Sequence, residues 1–67
     1  MNKSFEIINR VGISNESISD AVKNALIDAK NTGGVSWFEV IEQRGRVTDN
    51  DKIEFQVTLK IGRKLQS

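Results

Sequence analysis

The sequence contains no cysteine, no histidine and no tyrosine, and these absences exclude several kinds of site. Without cysteine the chain forms no disulfide and offers no thiolate as ligand or nucleophile. Without histidine it lacks the commonest transition-metal ligand and the commonest general base. No serine lies in a nucleophile-elbow pattern, and the carboxylates of Glu39 and Glu42 fall on opposite faces of a predicted strand. We therefore expect the protein not to be an enzyme.

Long apolar runs and an excess of one charge are missing as well. No stretch approaches the ~18 apolar residues of a membrane-spanning helix, and residues 1–6 lack the apolar core of a signal peptide. Ten basic and nine acidic residues leave a net charge of +1. That balance is unlike a protein whose main task is to grip nucleic acid through its phosphates. The expectation is a cytoplasmic protein with neither a membrane nor a nucleic acid as partner.

The chain is 67 residues long, which predicts a single small domain over residues 1–67. A domain of this size buries only about 60% of the surface that its unfolded chain exposes, so its stability is marginal. Small domains are usually reinforced by disulfides, by a metal or by oligomerisation. Because cysteine and histidine are absent, oligomerisation is the expected remedy.

Apolar periodicity predicts the element order strand, helix, strand, strand. The first strand is predicted over residues 4–11, with Gly12 as its end. A helix over about 15–32 is predicted from a capping serine, Ser14, and from the stop signal Gly33-Gly34. Its apolar stripe recurs at three- and four-residue spacing and consists of Ile18, Ala21, Val22, Ala25, Leu26 and Ala29. Strands over 35–47 and 52–65 flank a cluster of turn formers at 48–51.

These elements predict an α+β fold in which one helix packs on a three-stranded antiparallel sheet. The side chains expected on the helix-facing side are Phe5, Phe38, Val40, Phe55, Val57 and Leu59. The opposite side is expected to carry Trp37, Ile41 and Ile8 among polar groups. One helix cannot cover both faces of a sheet, so we expect further copies of the chain to cover these residues.

Trp37 is the only tryptophan, and strand alternation sends it to the side opposite Phe38 and Val40. Two interpretations remain open. Tryptophan is enriched in protein interfaces, so Trp37 is a candidate interface anchor. The indole also has the largest π-face of any side chain, so it is a candidate stacking platform for a flat ring. Composition alone favours the interface.

The polar candidates also have two interpretations each. The primary amide of Gln56 suits the imide-like edge of a planar heterocycle, but it also suits a solvated strand. Basic side chains can hold a phosphate or discourage strand-to-strand aggregation, and the candidates are Arg44, Arg46, Arg63 and Lys64. The acidic segment 49–51 with Glu54 lacks the ligand spacing of an EF-hand and predicts a turn rather than a calcium loop.

Taken together, these segments resemble the dodecins, small flavin-binding proteins that assemble as hollow dodecamers. The resemblance covers nearly the whole chain and is carried by Val11-Gly12, Ser14-Asn15-Glu16-Ser17, Trp37-Phe38-Glu39-Val40, Arg44-Gly45, Phe55-Gln56-Val57 and Ile61-Gly62. It implies a β-α-β-β subunit whose sheet partly wraps the helix, with twelve copies in one shell. It also implies that the protein stores or sequesters a flavin.

The resemblance assigns roles to four residues. In the family, flavins bind in pairs at subunit boundaries, and Trp37 matches the tryptophan that stacks on each ring. Gln56 matches the glutamine that hydrogen-bonds the ring. Arg44 and Lys64 match positions that bacterial members use for the phosphate of FMN. At position 64 this chain has lysine where those members have arginine. The resemblance therefore favours FMN, with other riboflavin-type flavins as alternatives, and coenzyme A is a candidate second ligand without assigned residues.

The hairpin geometry adds an expectation of its own. A turn at 48–51 pairs Trp37 near residue 62, six residues from Gln56. At ~3.3 Å per residue this is roughly 20 Å along the strand, so the two side chains should meet on one ring only across a subunit boundary. Strict alternation puts Arg44 on the side away from Trp37, so a shared ligand requires a bulge near Gly45 or a second subunit.

Two other functions remain as alternatives to flavin binding. The first is a cofactor-free structural or interaction module that oligomerises through the Trp37 face. The second is a single-stranded nucleic-acid binder that uses Trp37 with the arginines, which the near-neutral charge disfavours.

Overall fold

The computed structural model describes residues 4–65, which form one helix and one sheet. The elements are β1 (Ser4–Ser14), α1 (Ile18–Thr32), β2 (Trp37–Val47) and β3 (Ile53–Leu65). The strand order is β1-β3-β2, and both pairs are antiparallel. The predicted β-α-β-β order and three-stranded antiparallel sheet are confirmed.

The helix begins three residues later than predicted. Ser17 is the N-cap, and its hydroxyl accepts a hydrogen bond from the Asp20 amide at 2.9 Å. Ser14 was the wrong choice because it is the last residue of β1. Its Oγ instead closes the turn, accepting from the Glu16 amide at 2.9 Å and donating to Asp20 Oδ2 at 2.7 Å.

The helix ends as predicted at two glycines in conformations that other residues rarely adopt. Gly33 has φ 153° and Gly34 has φ 92°. The amides of both donate to the carbonyl of Ala29, which also accepts from the Thr32 hydroxyl at 3.1 Å, so the last turn of the helix is closed by three donors.

Gly12 does not end β1, as the sequence had predicted, but lies where the strand crosses the helix. A Cβ at this position would lie 2.9 Å from Ala25 Cβ and would overlap the backbone carbonyl of Ala21. The absence of a side chain therefore lets α1 approach the sheet closely. The buried core consists of the three helix alanines and three residues of the central strand: Ala21, Ala25, Ala29, Val57, Leu59 and Ile61.

The first strand presents the opposite face from the one predicted. Residues paired across antiparallel strands lie on the same side of a sheet, and Ile8 pairs with the buried Ile61, whereas Phe5 pairs with the exposed Lys64. Ile8 therefore packs on the core and Phe5 is 50% exposed on the other side. The prediction for both residues was wrong, because the need for a glycine against α1 decides which alternate residues of β1 face the helix.

The second strand lies largely outside the cover of the helix. Phe38 and Val40 pair with Ile61 and Leu59 and so lie on the helix-facing side, as predicted. They nevertheless remain 45% and 41% exposed, because α1 packs over β1 and β3.

No helix in residues 4–65 is long and apolar enough to cross a membrane.

Candidate functional site

A β-bulge in β2 places Arg44 on the same face of the sheet as the other candidate residues. Val40 pairs with Leu59, and the next paired residue of β2 is Glu42, opposite Thr58, so Ile41 is the extra residue. An extra residue reverses the alternation that follows it. Arg44 therefore shares with Trp37 the sheet face opposite α1, which we call the outer face. A bulge was one of the two predicted solutions, although it lies at Ile41 rather than near Gly45.

The bulge has a clear physical consequence for the rest of β2. With strict alternation, Glu42, Arg44 and Arg46 would lie on the helix-facing side. With the bulge, that side carries the uncharged residues Gln43, Gly45 and Val47, as shown by the partners Val57, Phe55 and Ile53. The charged side chains thus lie on the outer face, where water or a ligand can solvate them.

Trp37 lies against bare backbone at one end of the outer face. It pairs with Gly62, and a Cβ on Gly62 would lie 2.6 Å from Trp37 Nε1 and closer still to carbons of the ring. The Ser36 amide donates to the Gly62 carbonyl at 2.8 Å, which fixes the chain just before the tryptophan. Trp37 is 41% exposed, so part of its indole surface remains open on the outer face.

Gln56 lies at the other end of the outer face, within a line of hydrogen-bonded side chains. Its Nε2 donates to Glu54 Oε1 at 3.1 Å, and the same oxygen accepts from Arg46 Nε at 2.8 Å. Directly opposite Gln56 on β2 is Arg44, whose guanidinium donates to Glu42 Oε2 at 2.8 Å.

These contacts shift the pKa of three of the groups. The hydrogen bond from Arg46 lowers the pKa of Glu54, and the hydrogen bond from Gln56 adds to this effect. The hydrogen bonds and charges of the carboxylate partners raise the pKa of Arg44 and of Arg46. Glu54 and both arginines are therefore charged near neutral pH.

The register separates the candidate residues of one chain into two groups. Trp37 lies opposite Gly62, with Lys64 two residues further along the same face, and Arg44 lies opposite Gln56. Six residues of β3 separate Gly62 from Gln56, which is roughly 20 Å. The predicted pairing of Trp37 near residue 62 is confirmed, and beyond the bulge the register is shifted by one residue. One chain brings Trp37 near Lys64 and Arg44 near Gln56, but it does not bring the two groups together.

Arg63 is not available for a phosphate, in contrast to the sequence-based suggestion. It is 7% exposed on the helix-facing side, and its guanidinium lies over Gly33 at the end of α1. Its Nε lies 3.2 Å from Glu6 Oε1, an ion pair without hydrogen-bond geometry, and its NH1 donates to Thr32 Oγ1 at 3.4 Å. Arg63 thus places a positive charge at the negative end of the helix dipole.

Sequence reasoning missed Glu54 as a partner of Gln56. Without a bulge, the predicted hairpin places Arg46 opposite Ile53. The extra residue Ile41 shifts the register by one, so Arg46 lies opposite Glu54, and the chain of contacts from Arg46 to Gln56 depends on that shift. Reasoning from the sequence also missed the apolar part of the outer face contributed by β1, because it had assigned β1 to the other side.

The acidic segment of the hairpin is a turn, as predicted. The Thr48 amide donates to the Lys52 carbonyl at 2.7 Å and the Asp51 amide donates to the Thr48 carbonyl at 2.9 Å. A nearby open groove of about 610 Å³ contains none of the candidate residues, and is lined by Asn15, Glu16, Asp51, Lys52, Ile53 and Phe55. Within residues 4–65, no group of three or more acidic side chains is arranged to hold a metal ion.

Comparison with known proteins identifies the family. The family model described as Dodecin matches residues 5–66. The chain belongs to the dodecin family. It is 36% identical over 67 residues to the dodecin of Thermus thermophilus, an alignment that covers 98% of this chain and 97% of that protein.

Solved dodecin structures have the same fold as this chain. The dodecin from Streptomyces davaonensis superposes with a TM-score of 0.89 at 34% identity, and the match covers 100% of both chains. A tryptophan-to-phenylalanine variant of the Thermus thermophilus dodecin also gives a TM-score of 0.89, at 33% identity over 98% of this chain and 100% of that chain. The resemblance inferred from the sequence motifs is thereby confirmed.

Proposed function

We propose that this protein binds FMN for storage or sequestration in the cytoplasm, as a homododecamer whose flavin pockets lie at subunit boundaries. The observation that carries the proposal is the bulge at Ile41. It brings Arg44 to the uncovered face that already carries Trp37, Gln56 and Lys64, and the strand register leaves these four residues as two half-sites roughly 20 Å apart. A second chain therefore has to complete each pocket.

The chemistry of the two half-sites fits a flavin mononucleotide. The indole of Trp37 rests on Gly62 and exposes part of its surface for stacking on a planar ring. The amide of Gln56 can both donate to and accept from an imide edge. Arg44 and Lys64 supply positive charge for a phosphate, and a guanidinium can hold two phosphate oxygens at once.

Exposed apolar surface supports assembly of several copies. The first strand contributes four large apolar residues to the outer face, each about half exposed, and these are Phe5, Ile7, Val11 and Ile13. On the helix-facing side, Phe38 and Val40 of β2 extend beyond α1. A 67-residue monomer that exposed both surfaces would aggregate or bind partners. Burial between copies of the chain satisfies both surfaces.

The bound flavin would supply a light-absorbing, redox-active ring, and electron transfer from the indole would quench its excited state. The side chains of this protein would stack on the ring, bind its polar edge and phosphate, and exclude water. The candidate groups include no histidine, cysteine or tyrosine, which fits a binding protein rather than an enzyme. Coenzyme A, as a second phosphate-bearing ligand, stays a prediction without assigned residues.

The remaining candidate function is a cofactor-free module that assembles through the Trp37 face, and one experiment separates the two. FMN is titrated into protein of known assembly size, and the fluorescence of both FMN and Trp37 is recorded. A large assembly that quenches FMN at about one equivalent per subunit supports flavin storage. A large assembly that leaves FMN fluorescence unchanged supports the interaction module, and a monomer contradicts both.

A further inference from the structure

The amide of Gln56 is held in one orientation by a neighbouring carboxylate. Glu54 and Gln56 are two residues apart on β3, so both side chains project from the outer face. Gln56 Nε2 lies 3.1 Å from Glu54 Oε1. The Glu54 side chain is only 19% exposed, which places it well inside the surface formed by its neighbours.

The identity of the partner determines which end of the amide faces it. An ionised carboxylate only accepts hydrogen bonds, so it requires the NH₂ group of Gln56 and disfavours the carbonyl oxygen. Glu54 is itself held by Arg46, which lies opposite on β2 and donates to the same oxygen at 2.8 Å. The hydrogen bond from Arg46 holds the Glu54 carboxylate in place, and the ionised carboxylate keeps the amide from rotating by half a turn.

The second neighbour of Gln56 leaves the amide oxygen free. Arg44 lies opposite Gln56 and has donors within reach of this face, but its guanidinium is bound to Glu42 at 2.8 Å. On the other side Gln56 is flanked by Ile13, whose side chain has no donor. Within residues 4–65 no side chain donates to Gln56 Oε1, so this oxygen remains an acceptor for a ligand.

We propose that Glu54 and Arg46 are positioning residues that orient the Gln56 amide so that its oxygen accepts from the imide N–H of a planar heterocycle. The inference rests on the proposed flavin function, because the imide N–H is that of the flavin ring. With the opposite orientation, the NH₂ group would face the imide N–H, and two donors repel. The carboxylate of Glu54 thus determines whether Gln56 presents an acceptor or a donor to the ligand, although Glu54 itself does not contact the ligand.

The test measures coupling between Glu54 and the imide proton. Riboflavin and 3-methylriboflavin, which lacks that proton, are titrated into the assembled wild type and into Glu54→Gln. Riboflavin is used because it has no phosphate, so Arg44 and Lys64 do not dominate its affinity. A glutamine at position 54 can donate or accept, so it no longer selects one orientation of Gln56.

We expect the wild type to favour riboflavin over its methylated analogue, and this preference to fall about threefold or more in Glu54→Gln, as for loss of one neutral hydrogen bond. Glu54→Ala, which removes the acceptor without adding a donor, should give the same change. Glu16→Gln removes one negative charge outside the sheet and should keep the wild-type preference. Arg46→Gln should reduce the preference less than Glu54→Gln, because the carboxylate remains.

The outcomes distinguish this inference from the proposed function. If the wild type binds riboflavin and both Glu54 variants keep the full preference, Glu54 does not orient Gln56 and the inference is overturned while flavin binding stands. If the assembled wild type binds neither flavin, the proposed function and the inference fail together. Equal loss of both ligands in the Glu54 variants would show a purely structural role and would also overturn the inference.

Discussion

Gly62→Ala tests whether the backbone beneath Trp37 positions its indole. A Cβ at this position would lie 2.6 Å from Trp37 Nε1, and closer to carbons of the ring. Ordinary contacts of such atoms are about 3.5 to 4.0 Å, so the indole has to move by roughly 1 Å or more. Ring stacking of this kind is worth about 1–3 kcal/mol. Loss of the larger part predicts at least about tenfold weaker FMN binding.

The same substitution has a defined effect on stability. Overpacking costs about 1–3 kcal/mol, whereas replacing glycine by alanine within a strand contributes about 0.5–1 kcal/mol in the opposite direction. We therefore expect the free energy of unfolding to fall by about 0–2.5 kcal/mol. Because Trp37 is the only tryptophan, the indole fluorescence reports its surroundings without a contribution from any other tryptophan.

A double-mutant cycle provides the matched control. In a Trp37→Ala background the alanine at position 62 meets no indole, so Gly62→Ala should leave FMN affinity unchanged and should not lower stability. Suppose instead that Gly62→Ala lowers stability equally in both backgrounds, or that it leaves the tryptophan spectrum and FMN affinity of the wild type unchanged. Either result would refute the positioning of Trp37 by Gly62.

Four further predictions follow from single contacts. Trp37→Ala should weaken FMN binding at least about tenfold in fluorescence titrations, because the stacking surface is lost. Arg44→Gln should weaken FMN binding but leave riboflavin affinity almost unchanged, because only FMN carries a phosphate. Gly12→Ala should lower the free energy of unfolding by about 1–3 kcal/mol in denaturant titrations, since the new methyl group overlaps the Ala21 carbonyl. The stability difference between wild type and Glu54→Gln should be constant at neutral pH and shrink in acid.

The sign of the pH effect follows from the lowered pKa of Glu54. Its ordinary value is 4.5, and the contacts with Arg46 and Gln56 lower it in the folded protein. A group with a lowered folded pKa stabilises the fold above its unfolded pKa, and this contribution disappears as the pH falls through the folded pKa. A difference that grew below pH 4.5 would contradict the assignment.

A single result would contradict each of the other three predictions. Unchanged FMN affinity in Trp37→Ala would remove the tryptophan from the pocket. Equal loss of FMN and riboflavin in Arg44→Gln would show that the arginine acts on the ring or on assembly rather than on the phosphate. An unaltered unfolding curve for Gly12→Ala would mean that β1 and α1 separate without loss of stability.

Much of the candidate site was predictable because its determinants are local. The turn formers at 48–51 predict the hairpin. The hairpin in turn predicts that Trp37 pairs near residue 62, about six residues from Gln56 along β3. The dodecin motifs indicated the same residues. The sequence did not locate the bulge at Ile41, because the side chains of residues 40–42 are compatible with a strand that has or lacks an extra residue there. Its position depends on keeping three charged residues of β2 off the helix-facing side.

The sequence by itself determined the element order, the helix with its alanine stripe, the glycine stop at its end and the alternation of the central strand. Each depends on the conformational preference or periodicity of neighbouring residues. Only the tertiary structure decided which side of β1 faces α1. Both sides of that strand carry apolar residues, but only a residue without a side chain, Gly12, fits against the Ala21 carbonyl. It also decided that Trp37 and Arg44 share one face, because a bulge is a property of paired strands.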